Sequence, residues 1–520
     1  MALKPGQWIH MVGIAGAGMS GIAKLLTERG FIVSGSDLQN NDATKKLEAL
    51  GVTVYKGHSP DNLKDGIDKV VISSAVAWDN EEVQAAADKK IEVIKRGEML
   101  AEIIKEDKVI AVAGAHGKTT TTAMIYTILE NCGADPTLVV GGEIKDSEIN
   151  AKNGLGHYSV VEADESDASF LALKPYIAVV TNIENDHLDY YKTEKNIENA
   201  FAQYLQGVQT DGTAILFGDE PVINEVKKNC RAKTVLYGEN NTGDYFIKNW
   251  MPFRLGSNFD VYRTQKEIPA SADRETNAGI EALGAEADFS LNELNFPADV
   301  SEDMRKKARP DAAQCFRSRR EENSGKRLGH IELSVPGRHN AVNALAAVIT
   351  GLEIGLSFED IAGAIKKYTG AKRRFQITGE TNGIVIVDDY AHHPTEIRAT
   401  IQAARHFHSG RLIVVFQPHR YTRTRDLGQE LGASLRQADL TIVTDIYAAG
   451  EKSIPEISGR IIADAAGCEC HKSIYLDNMD EILDYLLSIL NKNDLLITMG
   501  AGDIWKLGEE LLDKLNRLSK

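Results

Sequence analysis

Cysteine is scarce in this chain of 520 residues: Cys132, Cys230, Cys315, Cys468 and Cys470 are odd in number and mostly scattered. That excludes a disulfide-stapled scaffold and suits a reducing compartment. Positive charge is also in short supply, with 59 Lys and Arg against 75 Asp and Glu, a net charge of −16. Such a balance argues against a protein that coats nucleic acid or lies on a membrane surface, and leaves room only for a local basic pocket. Long apolar runs are missing. Val109–Ala113 and Leu412–Phe416 are strand-sized, far short of a membrane span, and the opening MALKPGQWIH has no signal-peptide core. No short repeat recurs. The expectation is a cytoplasmic protein with no nucleic-acid partner and no membrane insertion. Its composition, 43% hydrophobic and 26% charged, is that of globular domains. At roughly 100–200 residues per domain, three are expected.

Short β-branched runs alternate with helical stretches, the pattern of an α/β fold. Strands are expected at Trp8–Gly13, Ile32–Ser36, Val70–Ser73, Val109–Ala113, Tyr158–Val161, Tyr176–Thr181, Ile384–Asp388, Leu412–Phe416, Leu440–Thr444 and Leu495–Met499. From about Thr264 to His330 the alternation lapses. An acidic half with Glu275, Glu281, Glu286 and Asp288 precedes a basic half with Arg305, Lys306, Lys307, Arg309, Arg317, Arg319 and Arg320. This text reads as a charged surface insertion.

Two glycine clusters sit between a strand and a helix. Gly16, Gly18 and Gly21 form GxGxxG, with Asp37 16 residues later at the end of the next strand. Glycine there lets the backbone turn and approach a phosphate, and the acid can take a ribose hydroxyl. The pattern does not distinguish NAD from a nucleotide-sugar diphosphate. The second cluster, Gly114-Ala115-His116-Gly117-Lys118-Thr119-Thr120, carries a sharper signal. Its amides can cradle phosphates, Lys118 can neutralise them, and the Thr119 hydroxyl can sit on a dication. It is shorter than a standard P-loop, because position 112 is valine.

Further polar clusters follow strands. Glu162-Ala163-Asp164-Glu165-Ser166-Asp167 crowds four acids into six residues, and Thr181–His187 adds Glu184, Asp186 and His187. Such crowding needs a cation, and carboxylates with one imidazole suit Mg²⁺ or Mn²⁺ better than zinc. In the last third, Asp388–Thr395 and Phe416–Arg425 begin where strands end, and Arg420 with Arg423 can grip a carboxylate. Cys468-Glu469-Cys470-His471 matches no zinc spacing and reads as ordinary loop.

In this order, GIAGAGMSGIA, AGAHGKTTTT, EADESDASFL, TNIENDHLDYY, SVPGRHNAVNALAA, AKRRF, DDYAHHPTEI, FQPHRYTRTRDL and GAGDIW resemble the Mur ligases. The resemblance covers nearly the whole chain outside about 264–330. It implies a UDP-sugar-binding Rossmann-like domain (1–106), a central P-loop ATP-binding domain holding the insertion (107–370) and a Rossmann-like amino-acid-binding domain (371–520). It implies ATP-dependent ligation of L-alanine to the lactyl carboxylate of UDP-N-acetylmuramate through an acyl phosphate, a step in peptidoglycan precursor synthesis. It also implies site residues. Gly114 to Thr120 would hold ATP, with Lys118 on its phosphates, and Thr119, Glu162 and His187 would hold Mg²⁺ or Mn²⁺. Asn340 and Asn343 would contact adenine and ribose, and Arg374 the γ-phosphate with Asp389 nearby. Tyr390, His392, His419, Arg420 and Arg423 would form the L-alanine pocket. Gly16, Gly18, Asp37 and Ser73 would belong to the UDP end.

The chain departs from the family pattern at Ala115, where threonine is usual, and in the length of the insertion. The metal-site lysine of several sister ligases has no counterpart at Ala200-Phe201-Ala202. Rival readings are a recycling ligase that joins the same UDP-sugar to a tripeptide, a Rossmann dehydrogenase with an appended P-loop regulator, and a non-catalytic scaffold.

Overall fold

The computed structural model describes residues 3–145, 149–240, 243–253, 255–265, 325–468 and 471–518. Among these residues the strands form three sheets of five, ten and six strands. Each sheet is mainly parallel, and its central strands are buried on both faces, which is why they are mostly apolar runs. No helix among the described residues is long and apolar enough to cross a membrane.

The first sheet runs Thr53–Lys56, Ile32–Asp37, Trp8–Val12, Lys69–Ile72, Glu92–Lys95, all parallel. This is the doubly wound order, with the chain reversing direction at the central strand Trp8–Val12. One hydrophobic cluster joins its helix Ala17–Glu28, through Met99, Leu100 and Ile103, to Phe170, Phe201 and Tyr204 of the central domain. The N-terminal and central domains therefore share a core.

The centre of the second sheet orders Lys233–Gly238, Thr213–Phe217, Ile177–Val180, Lys108–Ala113, Tyr158–Glu162 and Thr137–Val139 in parallel. Register decides what meets at its end. Val112 lies opposite both Val179 and Glu162, so the loops that follow these three strands leave the sheet at one level. Helices Lys118–Asn131 and Arg338–Glu353 cover one face. Helix Glu194–Gln206 covers the other, capped by Thr193 and burying Ile197, Ala200, Phe201, Tyr204 and Leu205 at helical spacing.

At one edge, Tyr245–Phe253, Gly256–Thr264 and Gly325–Leu333 continue the sheet as antiparallel strands. Gly325–His330, which the sequence pattern assigns to the insertion, is therefore sheet. Its charged side chains obscure the strand because they serve pairing: Arg327 and His330 bind Asp260 of the neighbouring strand at 2.8 and 3.0 Å. Residues 266–324, the bulk of the expected insertion, lie outside the described residues, as do Cys315 and Cys470. His471 is buried and bonded to Ala438 and Thr441, a structural histidine.

The third sheet orders Gln376–Thr381, Ile384–Asp389, Asp494–Met499, Arg411–Phe416, Leu440–Val443 and Lys472–Tyr475. Only its first pairing is antiparallel. Asp389 and Phe416 both lie opposite Met499, so the loops beginning at Tyr390, Gln417 and Gly500 cluster at one end.

Candidate active site

The strand Lys108–Ala113 turns into helix Lys118–Asn131 through two glycines that need to be glycine. Gly114 has φ +134°, and a Cβ there would strike Thr181 Oγ1. Gly117 has φ +82°, and a Cβ would lie 2.6 Å from Asn343 Oδ1. The loop is clamped from the next strand end: the His116 amide donates to Asn182 Oδ1 at 2.8 Å, and Asn182 Nδ2 donates to the His116 carbonyl at 2.9 Å. The result is a helix N-terminus behind a rigid turn, an anion site by construction. Lys118 Nζ donates to the carbonyls of Gly114 (2.6 Å) and Ala115 (3.2 Å) and pairs with Glu165 Oε1 at 2.7 Å. Ala115 thus serves the loop through its backbone. Burial opposes the charge on Lys118, but Glu165, Asp164 and Glu162 outweigh it and raise its pKa above the usual lysine value.

Acidic groups surround this cation. Glu162 Oε2 accepts from the Thr119 hydroxyl at 2.9 Å and from the Gly141 amide at 2.8 Å. Glu165 Oε1 also faces His187 Nε2 at 3.5 Å, while Glu165 Oε2 is buried without a partner. His187 has φ +58°, its amide bonded to Asp186 Oδ1 at 2.8 Å. Burial again works against charge on His187, yet Glu165 and Asp186 raise its pKa. A hydroxyl, carboxylates and one imidazole, with an orphaned carboxylate oxygen beside them, fit a hard dication of the Mg²⁺ or Mn²⁺ kind.

The C-terminal domain closes a cleft over the phosphate loop. About 790 Å³ of empty space there is lined by His116, Gly117, Thr119 and Thr120, by Asn340 and Asn343, and by Arg374, Asp389 and Glu396. Asn340 Nδ2 donates to the Pro336 carbonyl at 2.6 Å, which fixes its orientation. Arg374 lies 3.4 Å from Glu396 and 5.2 Å from the Tyr390 ring centre. Asp389 accepts from the amides of Phe375 and Ala391, both at 2.8 Å. Burial raises its pKa to about 6 against the pull of Arg374 and those amides. His116 is the opposite case: Glu396 and Glu184 overcome burial and raise it to about 9.

Beside the cleft, His392, His419 and Tyr447 stand ring to ring, with centroids 5.8 and 5.9 Å apart. Burial lowers His392 to about 3 and His419 to about 4, with Arg423 adding to both. His419 Nδ1 is buried without a partner. Arg420, at φ +70°, starts helix Tyr421–Leu435. One turn on, Arg423 donates to Asp186 Oδ1 at 2.8 Å, across the domain boundary. That bond joins the segment that carries His419, Arg420 and Arg423, with Tyr390 and His392 beside it, to the residue next to His187.

In the first domain, Gly16 caps helix Ala17–Glu28, and Gly18 packs so closely on Arg96 that a Cβ would lie 2.5 Å from its guanidinium. Asp37 Oδ2 accepts from the Ala15 amide at 2.9 Å, which ties the acid to the glycine turn. Ser73 leaves the adjacent strand, and a Cβ on Gly13 (φ +82°) would lie 2.9 Å from its Cβ. Gly21 faces Ala151 of the central domain. A second, narrow cleft runs from Gly18 past Arg96 and Gly141 to Glu162 and Asp164. It connects the glycine turn with the acidic cluster.

Sequence reasoning missed several partners. Arg96 binds Asp164 and Asp167 from the N-terminal domain, and nothing in KRGEML announces it. Glu396 lies in the segment DDYAHHPTEI and pairs locally with His392, but its contacts to His116 and Arg374 join segments distant in the chain. Gly13 carries the left-handed turn that the GxGxxG reading places on later glycines.

Comparisons with known proteins agree over the whole chain. Family models match at residues 8–108 (Mur ligase family, catalytic domain), 112–273 (Mur ligase middle domain) and 373–502 (Mur ligase, glutamate ligase domain). The UDP-N-acetylmuramate–L-alanine ligase of Syntrophomonas wolfei is 51% identical, covering 99% of this chain and 98% of its own. That of Desulforamulus reducens is 44% identical, covering 98% and 97%. The crystal structure of UDP-N-acetylmuramate-alanine ligase MurC from Thermotoga maritima superposes with TM-score 0.75 at 25% identity, over 98% of this chain and 99% of that one.

Proposed function

The chain belongs to the Mur ligase family, and from that premise we propose that it joins L-alanine to the lactyl carboxylate of UDP-N-acetylmuramate. It is an ATP-dependent amide-forming ligase of peptidoglycan precursor synthesis, and its products are UDP-N-acetylmuramoyl-L-alanine, ADP and phosphate. In this reading residues 1–106 take the UDP-sugar, 107–370 take ATP and 371–520 take the amino acid.

A carboxylate is a poor electrophile, so the lactyl group must first receive a phosphoryl group, giving an acyl phosphate with a good leaving group. That transfer needs fixed positive charge and alignment more than a protein nucleophile. Lys118 supplies charge at the β- and γ-phosphates, and Arg374 reaches the γ-phosphate from the C-terminal domain. Asn340 and Asn343 hold the nucleoside. Thr119, Glu162 and His187 would hold Mg²⁺ or Mn²⁺, which when bound neutralises phosphate charge. Gly16, Gly18, Asp37 and Ser73 hold the UDP end, and the Gly18-to-Glu162 cleft gives the sugar a path to the phosphate loop.

Arg420 and Arg423 take the L-alanine carboxylate. His392 and His419 are neutral at pH 7, so they add no further cation to the pocket, and the amine is free to face the acyl carbon. Attack forms a tetrahedral intermediate that expels phosphate.

The observation that supports this reading is the Arg423–Asp186 bond, because it ties a residue assigned to the amino acid to the neighbour of His187, whose ring faces the Glu165 that pairs with Lys118. The packed rings of His392, His419 and Tyr447 favour a small side chain over a tripeptide. Mass spectrometry of product formed from UDP-N-acetylmuramate and ATP tests it. L-alanine should be ligated and the tripeptide should not; ligation of the tripeptide alone would overturn the reading.

A further inference from the structure

Three residues outside the assignments for the Mg²⁺ position converge where the central and C-terminal domains meet. His116 comes from the phosphate loop, Glu184 from the loop after strand Ile177–Val180, and His393 from the residue before helix Pro394–Phe407. His116 Nε2 and His393 Nδ1 face each other at 3.0 Å. Glu184 Oε2 lies 3.6 Å from the first and 3.9 Å from the second. One donor atom from each lies within 4.8 Å of the others.

We propose that His116, Glu184 and His393 form a second metal site, for Zn²⁺ or a dication of like chemistry such as Co²⁺, bridging the two domains. A tetrahedral ion with bonds of 2.0–2.2 Å sets its ligand atoms about 3.3–3.6 Å apart. The three observed separations straddle that value, so the ion enters with shifts of a few tenths of an ångström. Two imidazoles and a carboxylate form a zinc-type donor set, whereas the oxygen-rich cluster at Thr119 and Glu162 suits harder ions.

The surroundings support the ligands. Glu396 Oε1 stands 3.2 Å from His116 Nδ1, the carboxylate-on-far-nitrogen arrangement that leaves Nε2 to the metal. The Thr395 hydroxyl donates to Glu184 Oε2 at 2.8 Å and orients that carboxylate. Two ring nitrogens this close share a proton between them, and the metal takes its place, releasing it to solvent. Water from the cleft completes four-coordination. Because two ligands belong to the central domain and one to the C-terminal domain, the bound ion fixes the two domains together.

The test uses tag-free, full-length protein with Mg²⁺ present, titrated with Co²⁺ and followed by visible absorption; no ligase substrate is needed. The wild type should bind one Co²⁺ with the intense absorption of a four-coordinate site. His187→Ala should retain it, because that change touches only the proposed Mg²⁺ position. His393→Asn keeps a helix-capping acceptor but removes the imidazole, and Glu184→Gln keeps the Thr395 hydrogen bond but removes the charge. Both should weaken Co²⁺ binding about 100-fold or more, since even outer-shell partners are worth 10–100-fold. No absorption above that of the free ion in wild type, an unchanged spectrum in His393→Asn, or loss in His187→Ala would each overturn the proposal.

Discussion

Replacing Lys118 by alanine removes the cation that three acids hold over the phosphate loop. Phosphate release should fall by at least about 100-fold, the usual effect of deleting one preorganised charge stabiliser. Near-normal turnover would show that the loop does not hold the reacting phosphates. Arg420→Ala should raise the KM for L-alanine far more than that for ATP, and equal shifts would place Arg420 outside the amino-acid pocket. Asp389 makes a pH prediction. Its native carboxyl keeps its proton up to about pH 6, against 3.8 when unperturbed. Folding therefore takes up a proton between those values, and stability falls as pH rises through them, by about 3 kcal/mol from this group. Asp389→Asn should remove that fall, so denaturation of the two proteins at pH 4 and pH 7 should show the variant gaining relative to wild type. Parallel stability curves would contradict the assigned shift.

At the scale of elements, the central parallel strands were legible because each is a buried apolar run ending in a motif, whereas outer parallel strands such as Thr53–Lys56, Glu92–Lys95 and Lys472–Tyr475 are short, partly exposed and were not expected. The expected Trp8–Gly13, Val109–Ala113 and Leu412–Phe416 lie within a residue of the observed strands. The edge of the central sheet was not legible. Tyr245–Phe253 and Gly325–Leu333 expose one face and carry Lys, Arg and His there, so they lack the continuous run of a parallel strand. The motifs named the site's loops, but not the contacts of Arg96, Glu396 and Asp186, which exist only once register and packing align distant segments. The hairpin also carries a prediction. Thr264 and Gly325 are register partners, so a short turn can join them at little closure cost. A chain with residues 267–322 replaced by such a turn should stay folded and keep ligase activity within about threefold. Insoluble protein would show that the removed segment contributes to the core.

On the scale of the whole molecule, the two domain junctions differ in kind. The N-terminal and central domains share a hydrophobic cluster reinforced by Arg96 on Asp164 and Asp167. The contacts at the cleft between the central and C-terminal domains are polar: Arg423 to Asp186, Thr395 to Glu184 and His116 to His393. The second junction brings the His392–His419 cluster toward the phosphate loop, and its loops come from the carboxyl ends of two separate sheets. The central claim is that both substrates meet ATP at this junction. Phosphate release from ATP with UDP-N-acetylmuramate, measured with and without L-alanine, tests it most directly. Sustained release that requires both substrates is the predicted result. Release that is indifferent to L-alanine, or absent when both are supplied, would contradict the account.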